Sequence, residues 1–157
     1  MTITNHVLTG ALLAVVLRKP ELAIPLALVS HYILDMLPHY GYGNIPHEKR
    51  DTMKHFLLKQ TIDAYLALGL FFLVPYLFRG HVAPVVTAYC MAIASIPDAV
   101  WAYQYVKAQP HRTGQYSQPG PLTRFHKAIQ WCERPWGIYV ELAWFALTIV
   151  AMRLVTT

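Results

Sequence analysis

The chain has 157 residues, of which 55% are hydrophobic and only 13% are charged, about half the charged fraction of a typical soluble domain. This composition excludes a disordered chain, a secreted disulfide scaffold and an ordinary water-soluble enzyme, and the length predicts a single domain over 1–157. The net charge of +5 does not indicate nucleic-acid binding, because the basic residues lie in the gaps between apolar segments rather than on one helical face.

Five apolar segments follow one another along the chain, at 5–17, 21–37, 55–78, 82–106 and 136–155. A membrane-spanning helix needs about 20 apolar residues. The last three segments reach that length comfortably, the second just reaches it and the first is short. We interpret all five as membrane helices, with Arg18-Lys19-Pro20 separating the first from the second. The predicted fold is therefore an all-α polytopic membrane bundle of about five transmembrane helices.

Two further segments lie between the fourth and fifth apolar segments. The first, 107–121, is rich in Gln, Pro and Gly and predicts a loop. The second, 122–134, alternates apolar with charged residues, which predicts a short amphipathic helix in the membrane interface. Pro135 then suits the first turn of the last helix, where its missing N–H costs nothing. Pro75 and Pro97 lie inside predicted helices and should kink them.

Basic residues are distributed unequally between the two membrane faces that five spans would create. One face collects eight of them and the other four. Positive residues favour the cytoplasmic side, so we expect an integral protein of a bacterial or archaeal cell membrane, with its N-terminus and both long loops in the cytoplasm. The larger set is Lys49, Arg50, Lys54, Lys107, Arg112, Arg124, Lys127 and Arg134, and the smaller is Arg18, Lys19, Arg79 and Arg153.

Four of the eight acidic residues lie inside apolar segments: Asp35, Asp63, Asp98 and Glu141. An ionised carboxylate at the centre of a membrane helix costs about 2.5–3.5 kcal/mol, so each of them needs an ionic partner, a bound cation or a wet cavity. Counted along their helices, all four fall in the same half of the membrane, together with several histidines. We therefore predict that these acids and imidazoles form one site near the cytoplasmic face.

The local spacing of these residues is typical of metal ligands. His31 and Asp35 are four residues apart, which places an imidazole and a carboxylate on one helical face. Nitrogen and carboxylate ligands favour zinc, with manganese or iron as alternatives. The predicted ligands number eight, more than one four-coordinate ion needs, so two or three bridged ions are expected. They are His6, His31, Asp35, His39, Asp63, Asp98, His126 and Glu141.

Simpler roles are open for several of these residues. Asp63 lies one turn after Lys59, and an ion pair between them would explain the acid. Asp98 follows Pro97 and could cap the carbonyl that the proline ring frees. A position in the membrane interface would by itself explain three of the histidines, His6, His55 and His126.

The segment LVSHYILDMLPHYGYG resembles the S-H-x-x-x-D segment, with its following turn and Tyr-Gly, of the YdjM-like family of membrane-bound metal-dependent hydrolases. NHVLTGALLA resembles the opening helix of that family, ASIPDAVWA resembles its Leu-Pro-Asp segment, and RFHKAIQW is similar to its Arg/Phe-rich His segment. These segments extend over about half the chain. Here the Pro-Asp segment follows the H-x-x-x-D segment instead of preceding it, and Val100 stands where the family has a second acid.

The resemblance implies a distant similarity to zinc-dependent phospholipases C and single-strand nucleases, in which clustered His and Asp residues hold several zinc ions. We accordingly expect a hydrolase, a phosphoesterase that uses metal-activated water on a lipid-borne or isoprenyl phosphate. Its partners would be membrane lipids and a lipid-like phosphorylated substrate, and we expect no nucleic-acid partner. Assembly into a homo-oligomer is compatible with the sequence. Asp98, Glu141 and Lys127 are the expected catalytic residues, and Arg124 and Lys59 are further partners for phosphate charge.

Two alternatives from other functional classes remain open. The first is a cation or proton transporter with an intramembrane His/Asp relay. Its path would have to cross a second membrane half that is almost wholly apolar, at 66–77, 82–93 and 145–150. The second is a haem- or quinone-binding protein in which His31 pairs with His55 or His6. Four buried acids would be an unusual setting for a haem.

Overall fold

The computed structural model describes the backbone of residues 1–40, 50–108 and 120–157, and the side chains of 1–40, 58–103, 120–122 and 124–157. Within these ranges the fold is all-helical, as predicted. The helices are α1 (Ile3–Leu17), α2 (Pro20–Met36), α3 (Arg50–Leu77), α4 (Pro84–Ala108), α5 (Pro121–Ile129) and α6 (Gly137–Thr156). Two short strands, β1 (His39–Tyr40) and β2 (Glu133–Arg134), pair in parallel.

The break between α1 and α2 lies where the sequence predicts it. Arg18 takes a left-handed conformation with φ of 54° and ends α1. Pro20 then occupies the first turn of α2, where the missing N–H leaves no hydrogen bond unmade. A short connection of this kind turns α2 back alongside α1.

The prolines and the amphipathic segment agree with prediction in part. Pro75 and Pro97 lie inside α3 and α4. The amphipathic helix expected over 122–134 is the shorter α5, because the chain after Ile129 leaves the helix to form β2. Pro135 does not open α6, which begins two residues later; a turn carries the chain from β2 into that helix.

In the part of the chain that the structure describes, three helical segments are long and apolar enough to cross a membrane: Leu58–Leu77, Pro84–Tyr103 and Gly137–Thr156. Large apolar side chains point outward from them, as Phe72 does with 71% of its surface exposed. Such a surface is what contact with lipid requires. Five spans are not confirmed. With 15 and 17 residues, α1 and α2 are about 23 and 26 Å long, against a hydrocarbon layer of about 30 Å.

The short α1 is the central helix of the bundle. It packs against α2, α3, α4 and α6, and ten of its residues are buried. The minimum of about 20 apolar residues applies to a helix that faces lipid, because the backbone of such a helix must make all its hydrogen bonds internally across the whole hydrocarbon layer. Because α1 is enclosed by protein, it does not have to meet that length, and this is why counting apolar segments does not give the number of spans.

Small residues let α1, α2 and α4 approach closely. A Cβ atom on Gly10 of α1 would overlap the backbone carbonyl of Cys90 in α4. Around this contact lies a buried cluster of small side chains, Ala14, Ala23, Ala27, Cys90 and Ala94. Small residues at helix interfaces are typical of membrane bundles, where close packing replaces the hydrophobic effect as the driving force. The close approach also brings the polar residues of the three helices within reach of one another.

The opposite end of the bundle is apolar. Val15, Val74, Phe78 and Met152 belong to one buried cluster formed by α1, α3, α4 and α6. The guanidinium of Arg18 donates to the carbonyl of Val155 at 3.4 Å, so the C-terminal ends of α1 and α6 lie together there. We call this the distal end. The buried acids and imidazoles lie at the other, polar end, where α1 begins.

Candidate metal centre

The polar end holds a cluster of ligand atoms from three helices. His6 of α1, His31 and Asp35 of α2 and Asp98 of α4 each place one nitrogen or carboxylate oxygen within 4.8 Å of all the others. The side chains of His6, His31 and Asp35 are fully buried, and that of Asp98 is 15% exposed. This group could hold a metal ion, because imidazole nitrogens and carboxylate oxygens are a common donor set for transition metals.

His126 of α5 extends the group to five residues. Its Nε2 atom lies 2.7 Å from Asp35 Oδ2, 3.3 Å from His31 Nε2 and 3.8 Å from Asp98 Oδ1. The three residues of other helices that it contacts all belong to the four-residue group. We call the five residues His6, His31, Asp35, Asp98 and His126 the His/Asp cluster. The i, i+4 pair on α2 expected from the sequence forms part of it, with His31 Nε2 3.3 Å from Asp35 Oδ2.

In Asp35 and in Asp98, one carboxylate oxygen faces His6 and the other faces His31 and His126. Asp35 directs Oδ1 at His6 Nε2, at 3.1 Å, and Oδ2 at His31 and His126. Asp98 has Oδ2 3.8 Å from His6 Nε2, while its Oδ1 lies 4.0 Å from His31 and 3.8 Å from His126. Donor atoms around a tetrahedral zinc ion are about 3.3 Å apart, given bonds of about 2.0–2.1 Å. The observed separations are close to that spacing.

The orientation of His31 is fixed from outside the cluster. Its Nδ1 atom lies 2.8 Å from the carbonyl oxygen of Ala94 in α4. Because a carbonyl only accepts hydrogen bonds, Nδ1 carries a proton, and in the neutral imidazole the lone pair of Nε2 then faces the cluster. A backbone carbonyl bound to the second ring nitrogen is typical of metal-ligating histidines. The ring of His31 also stacks on that of His6, with centroids 4.0 Å apart.

With neutral imidazoles, the cluster carries negative charge that its described neighbours do not fully offset. The nitrogen of Met1 lies 2.5 Å from Asp35 Oδ1, and one ammonium group can neutralise only one of the two carboxylates. Asp98 Oδ2 and His6 Nδ1 are buried and have no hydrogen-bond partner among the described residues. Burying an unpaired carboxylate is costly. A bound divalent cation would satisfy Asp98 Oδ2 and balance the remaining charge.

Gln130 is a cluster neighbour that the sequence reasoning missed. Its Nε2 atom lies 3.3 Å from Asp35 Oδ2 and 3.2 Å from His126 Nε2. The side chain of Gln130 is an amide without an ionisable group, so it is not among the metal ligands predicted from the sequence. The sequence feature that indicates Gln130 is its position four residues after His126, one turn further along and at the end of the same short helix.

Asp63 and Glu141 lie outside the cluster and bind the beginning of α1 instead. Asp63 Oδ2 accepts the N–H of Ile3 at 2.7 Å and its Oδ1 accepts that of Thr4 at 3.1 Å. Glu141 Oε1 accepts the N–H of Thr2 at 3.0 Å. The first N–H groups of a helix have no partner within it, and a carboxylate there also interacts favourably with the helix dipole. Two of the four buried acids thus have a structural role.

Glu141 nevertheless lies next to the cluster. The nitrogens of two consecutive residues, Met1 and Thr2, contact Asp35 and Glu141 respectively. The second oxygen of Glu141, Oε2, is buried without a hydrogen-bond partner in the described part of the chain. All four acids therefore contact the first six residues, Asp98 through its approach to His6. The sequence-based expectation that they gather at one level agrees with this geometry.

The remaining predicted site residues lie elsewhere. His39 is in β1, outside the cluster, with its Nε2 atom 3.9 Å from Glu133 Oε1. Lys127 is exposed, whereas its neighbour His126 is buried. The side chain of His55 falls outside the described residues.

No protein-family model, curated protein or solved structure matches this chain. The resemblance to the YdjM-like family therefore stays a prediction, and the evidence on function is the chemistry of the His/Asp cluster and its surroundings.

Proposed function

We propose that the protein is a membrane-embedded metal-dependent phosphoesterase whose His/Asp cluster holds two divalent ions. The observation that carries this proposal is the matched division of the oxygens of Asp35 and Asp98, one toward His6 and the other toward His31 and His126. Two carboxylates arranged in this way are suited to bridging a pair of ions. Zinc is the ion that best fits three imidazoles and two carboxylates.

The two halves of the cluster differ in the number of ligands they offer. One half consists of His6 Nε2, Asp35 Oδ1 and Asp98 Oδ2. The other has the remaining carboxylate oxygens together with two imidazoles, from His31 and His126. A zinc site with three protein ligands keeps a fourth position for water or substrate, whereas four ligands close the site. We therefore assign the binding of water or substrate to the His6 half.

Divalent ions held there would supply polarisation of phosphoryl oxygens and activation of water. In the overall reaction water would add to phosphorus, the bond between phosphorus and the lipid oxygen would break, and that oxygen would take up a proton, which gives an alcohol and inorganic phosphate. Glu141, with its unpartnered Oε2 beside the cluster, is our candidate proton donor. The exposed Lys127 and Arg124 would attract an anionic substrate.

The location that we propose is the cytoplasmic leaflet of a bacterial or archaeal cell membrane. Arg18 lies at the distal end, and the sequence-based assignment gives four basic residues to that face of the membrane and eight to the other. Positive charge favours the cytoplasmic side. The His/Asp cluster would then face the cytoplasm at about the depth of the lipid headgroups.

The alternative functions have less support from the described residues. A transporter would need a polar path through the distal end, but the described core there is built from apolar side chains of α1, α3, α4 and α6, and the buried polar residues beside them are the uncharged Thr87 and Thr148. A haem between His6 and His31 has no room, because the two rings are stacked with centroids 4.0 Å apart. Metal-dependent hydrolysis instead uses the imidazoles and the carboxylates together.

The proposal is tested by measuring phosphate release from alkyl and isoprenyl phosphates by the purified protein loaded with zinc or manganese. Asp98→Asn should lower kcat/KM by at least about 100-fold, since losing even an outer-shell partner of a metal site costs about 10–100-fold. Glu21→Gln, which alters an exposed acid on α2, is the matched control and should leave the rate unchanged. Absence of phosphate release from every ester, or equal rates in the two variants, would refute a hydrolytic role.

A further inference from the structure

An apolar cleft of about 90 Å³ lies beside the His/Asp cluster, between α2, α4 and α5. Among the residues that the structure describes, no charged side chain lines it. Its walls are formed by Leu28 and Tyr32 of α2, Ile96, Val100 and Trp101 of α4, and Leu122 of α5. A cleft with such walls excludes a sugar or a nucleotide base as its occupant, because their hydroxyl and amide groups would find few partners there. Its chemistry fits a hydrocarbon.

His126 joins this cleft to the cluster. The same imidazole that lines the cleft places its Nε2 atom 2.7 Å from Asp35 Oδ2. A molecule with one end at the metal ligands and the other in the cleft therefore has to extend past only one ring. The cleft and the cluster thus share the ring of His126.

The outer opening of the cleft lies on apolar surface. Leu28, Val100 and Leu122 are 38%, 36% and 63% exposed, and Val100 belongs to the candidate span Pro84–Tyr103. A chain leaving the cleft would thus continue over side chains that we place against lipid. An aqueous substrate would gain nothing from such an exit.

We propose, as an extension of the proposed function, that this cleft binds the hydrocarbon chain of a phosphate monoester while the phosphate lies at the His/Asp cluster. Its volume of about 90 Å³ is smaller than the roughly 150 Å³ of an apolar cavity that holds benzene. The cleft therefore admits the first carbons of one chain and not two chains side by side. The substrate class is a single-chain alkyl or isoprenyl phosphate, in preference to a diacylglycerol phosphate.

Blocking the cleft separates binding of the chain from chemistry at the phosphate. Val100→Trp should raise KM for dodecyl phosphate by at least about tenfold, because each methylene excluded from an apolar pocket weakens binding several-fold. The kcat/KM for methyl phosphate, which has no chain to place in the cleft, and the bound metal should change less than about twofold. Val85→Trp, also an exposed valine of α4 but outside the cleft, is the matched control and should alter neither. Leu28→Trp provides a second block should Val100→Trp fail to fold.

Photo-crosslinking locates the chain without relying on catalysis. A dodecyl phosphate carrying a diazirine near the phosphate should label peptides of α2, α4 and α5, and unlabelled dodecyl phosphate should compete. Labelling of the cleft without hydrolysis of the ester would support binding of the hydrocarbon chain in the cleft and would refute the proposed hydrolase activity. Hydrolysis with labelling confined to α3 would refute binding of the chain in the cleft but leave the hydrolase activity standing. Identical KM values in Val100→Trp and Val85→Trp would have the same meaning. Geranyl phosphate used beside dodecyl phosphate distinguishes an isoprenyl from an alkyl preference.

Discussion

Asp35 contacts three imidazoles with only two oxygens. His6 approaches Oδ1, and His31 and His126 approach Oδ2, all within 3.3 Å. The residue is fully buried at the polar end of the bundle, where an isolated carboxylate would be strongly destabilising. The ammonium of Met1 lies 2.5 Å from Oδ1, and metal ions would supply the further positive charge that Asp35 and Asp98 together require.

Gln130 provides a test of how the cluster is supported. Replacing it with leucine in Gln130→Leu removes the amide near Asp35 and His126 but keeps a similar volume. We expect the metal affinity to fall about 10–100-fold, as is usual for outer-shell partners, and the melting temperature to stay close to that of the parent. Chelator competition measures the affinity. An unchanged affinity would show that Gln130 does not position the ligands.

The sequence identifies most of the cluster but not the roles within it. The spacing of His31 and Asp35, and the depth of His6, Asp98 and His126, suffice to select these residues. Asp63 and Glu141 satisfy the same criteria, yet they bind backbone N–H groups at the beginning of α1. Backbone donors carry no sequence signature, so a buried acid that caps a distant helix resembles a metal ligand until the fold is known.

At the scale of helices, α1 depends on an acid contributed by α3. Asp63→Ala removes the carboxylate that accepts the N–H groups of Ile3 and Thr4. We expect the free energy of unfolding to fall by about 0.5–2 kcal/mol, as for other lost N-terminal caps, while the bound metal stays constant. Thermal unfolding in detergent and elemental analysis measure the two quantities. Loss of metal in Asp63→Ala and in the milder Asp63→Asn would instead make Asp63 a ligand.

The contact between α1 and α4 depends on Gly10. In Gly10→Ala the added methyl group would meet the carbonyl of Cys90, and overpacking of this kind costs about 1–3 kcal/mol. Since this contact brings His6 close to Asp98, metal affinity should fall as well. Gly69→Ala in α3 is the matched control, because nothing lies within 4 Å of its added methyl group and alanine favours a helix by up to about 1 kcal/mol. Equal melting temperatures for the two variants would contradict the packing argument.

Helix positions were predictable, whereas the number of spans was not. Apolar segments and the break at Arg18-Lys19-Pro20 indicate the helices to within a few residues. Whether a helix faces lipid or protein depends on its neighbours, and the enclosure of α1 by four helices is a tertiary property. For the same reason the length of α1 could not be interpreted from the sequence alone.

The whole molecule is polarised along its helices. The four acids and the three imidazoles of the His/Asp cluster lie at the polar end, where α1 begins, and the described core at the distal end contains no charged side chain. A device that moves ions across a membrane needs polar groups at both levels. The observed asymmetry favours chemistry at one membrane surface.

The orientation of this polarised bundle can be measured by cysteine labelling in cells. In a Cys132→Ser background, Gly80→Cys marks the turn between α3 and α4, and Gly120→Cys marks the residue before α5. Native Cys90 is buried and should not react. A membrane-impermeant maleimide added outside should label position 80 and not position 120, because we place the polar end in the cytoplasm. The reverse pattern would invert the proposed orientation.

The metal content of the purified full-length protein tests the central claim most directly. We expect about two divalent ions per chain, with zinc dominant and no haem absorption, and we expect Asp35→Asn to lose both because both halves of the cluster share that carboxylate. Glu21→Gln, an exposed acid of the same helix, should retain them. A metal-free protein, or equal metal content in Asp35→Asn and Glu21→Gln, would contradict the account.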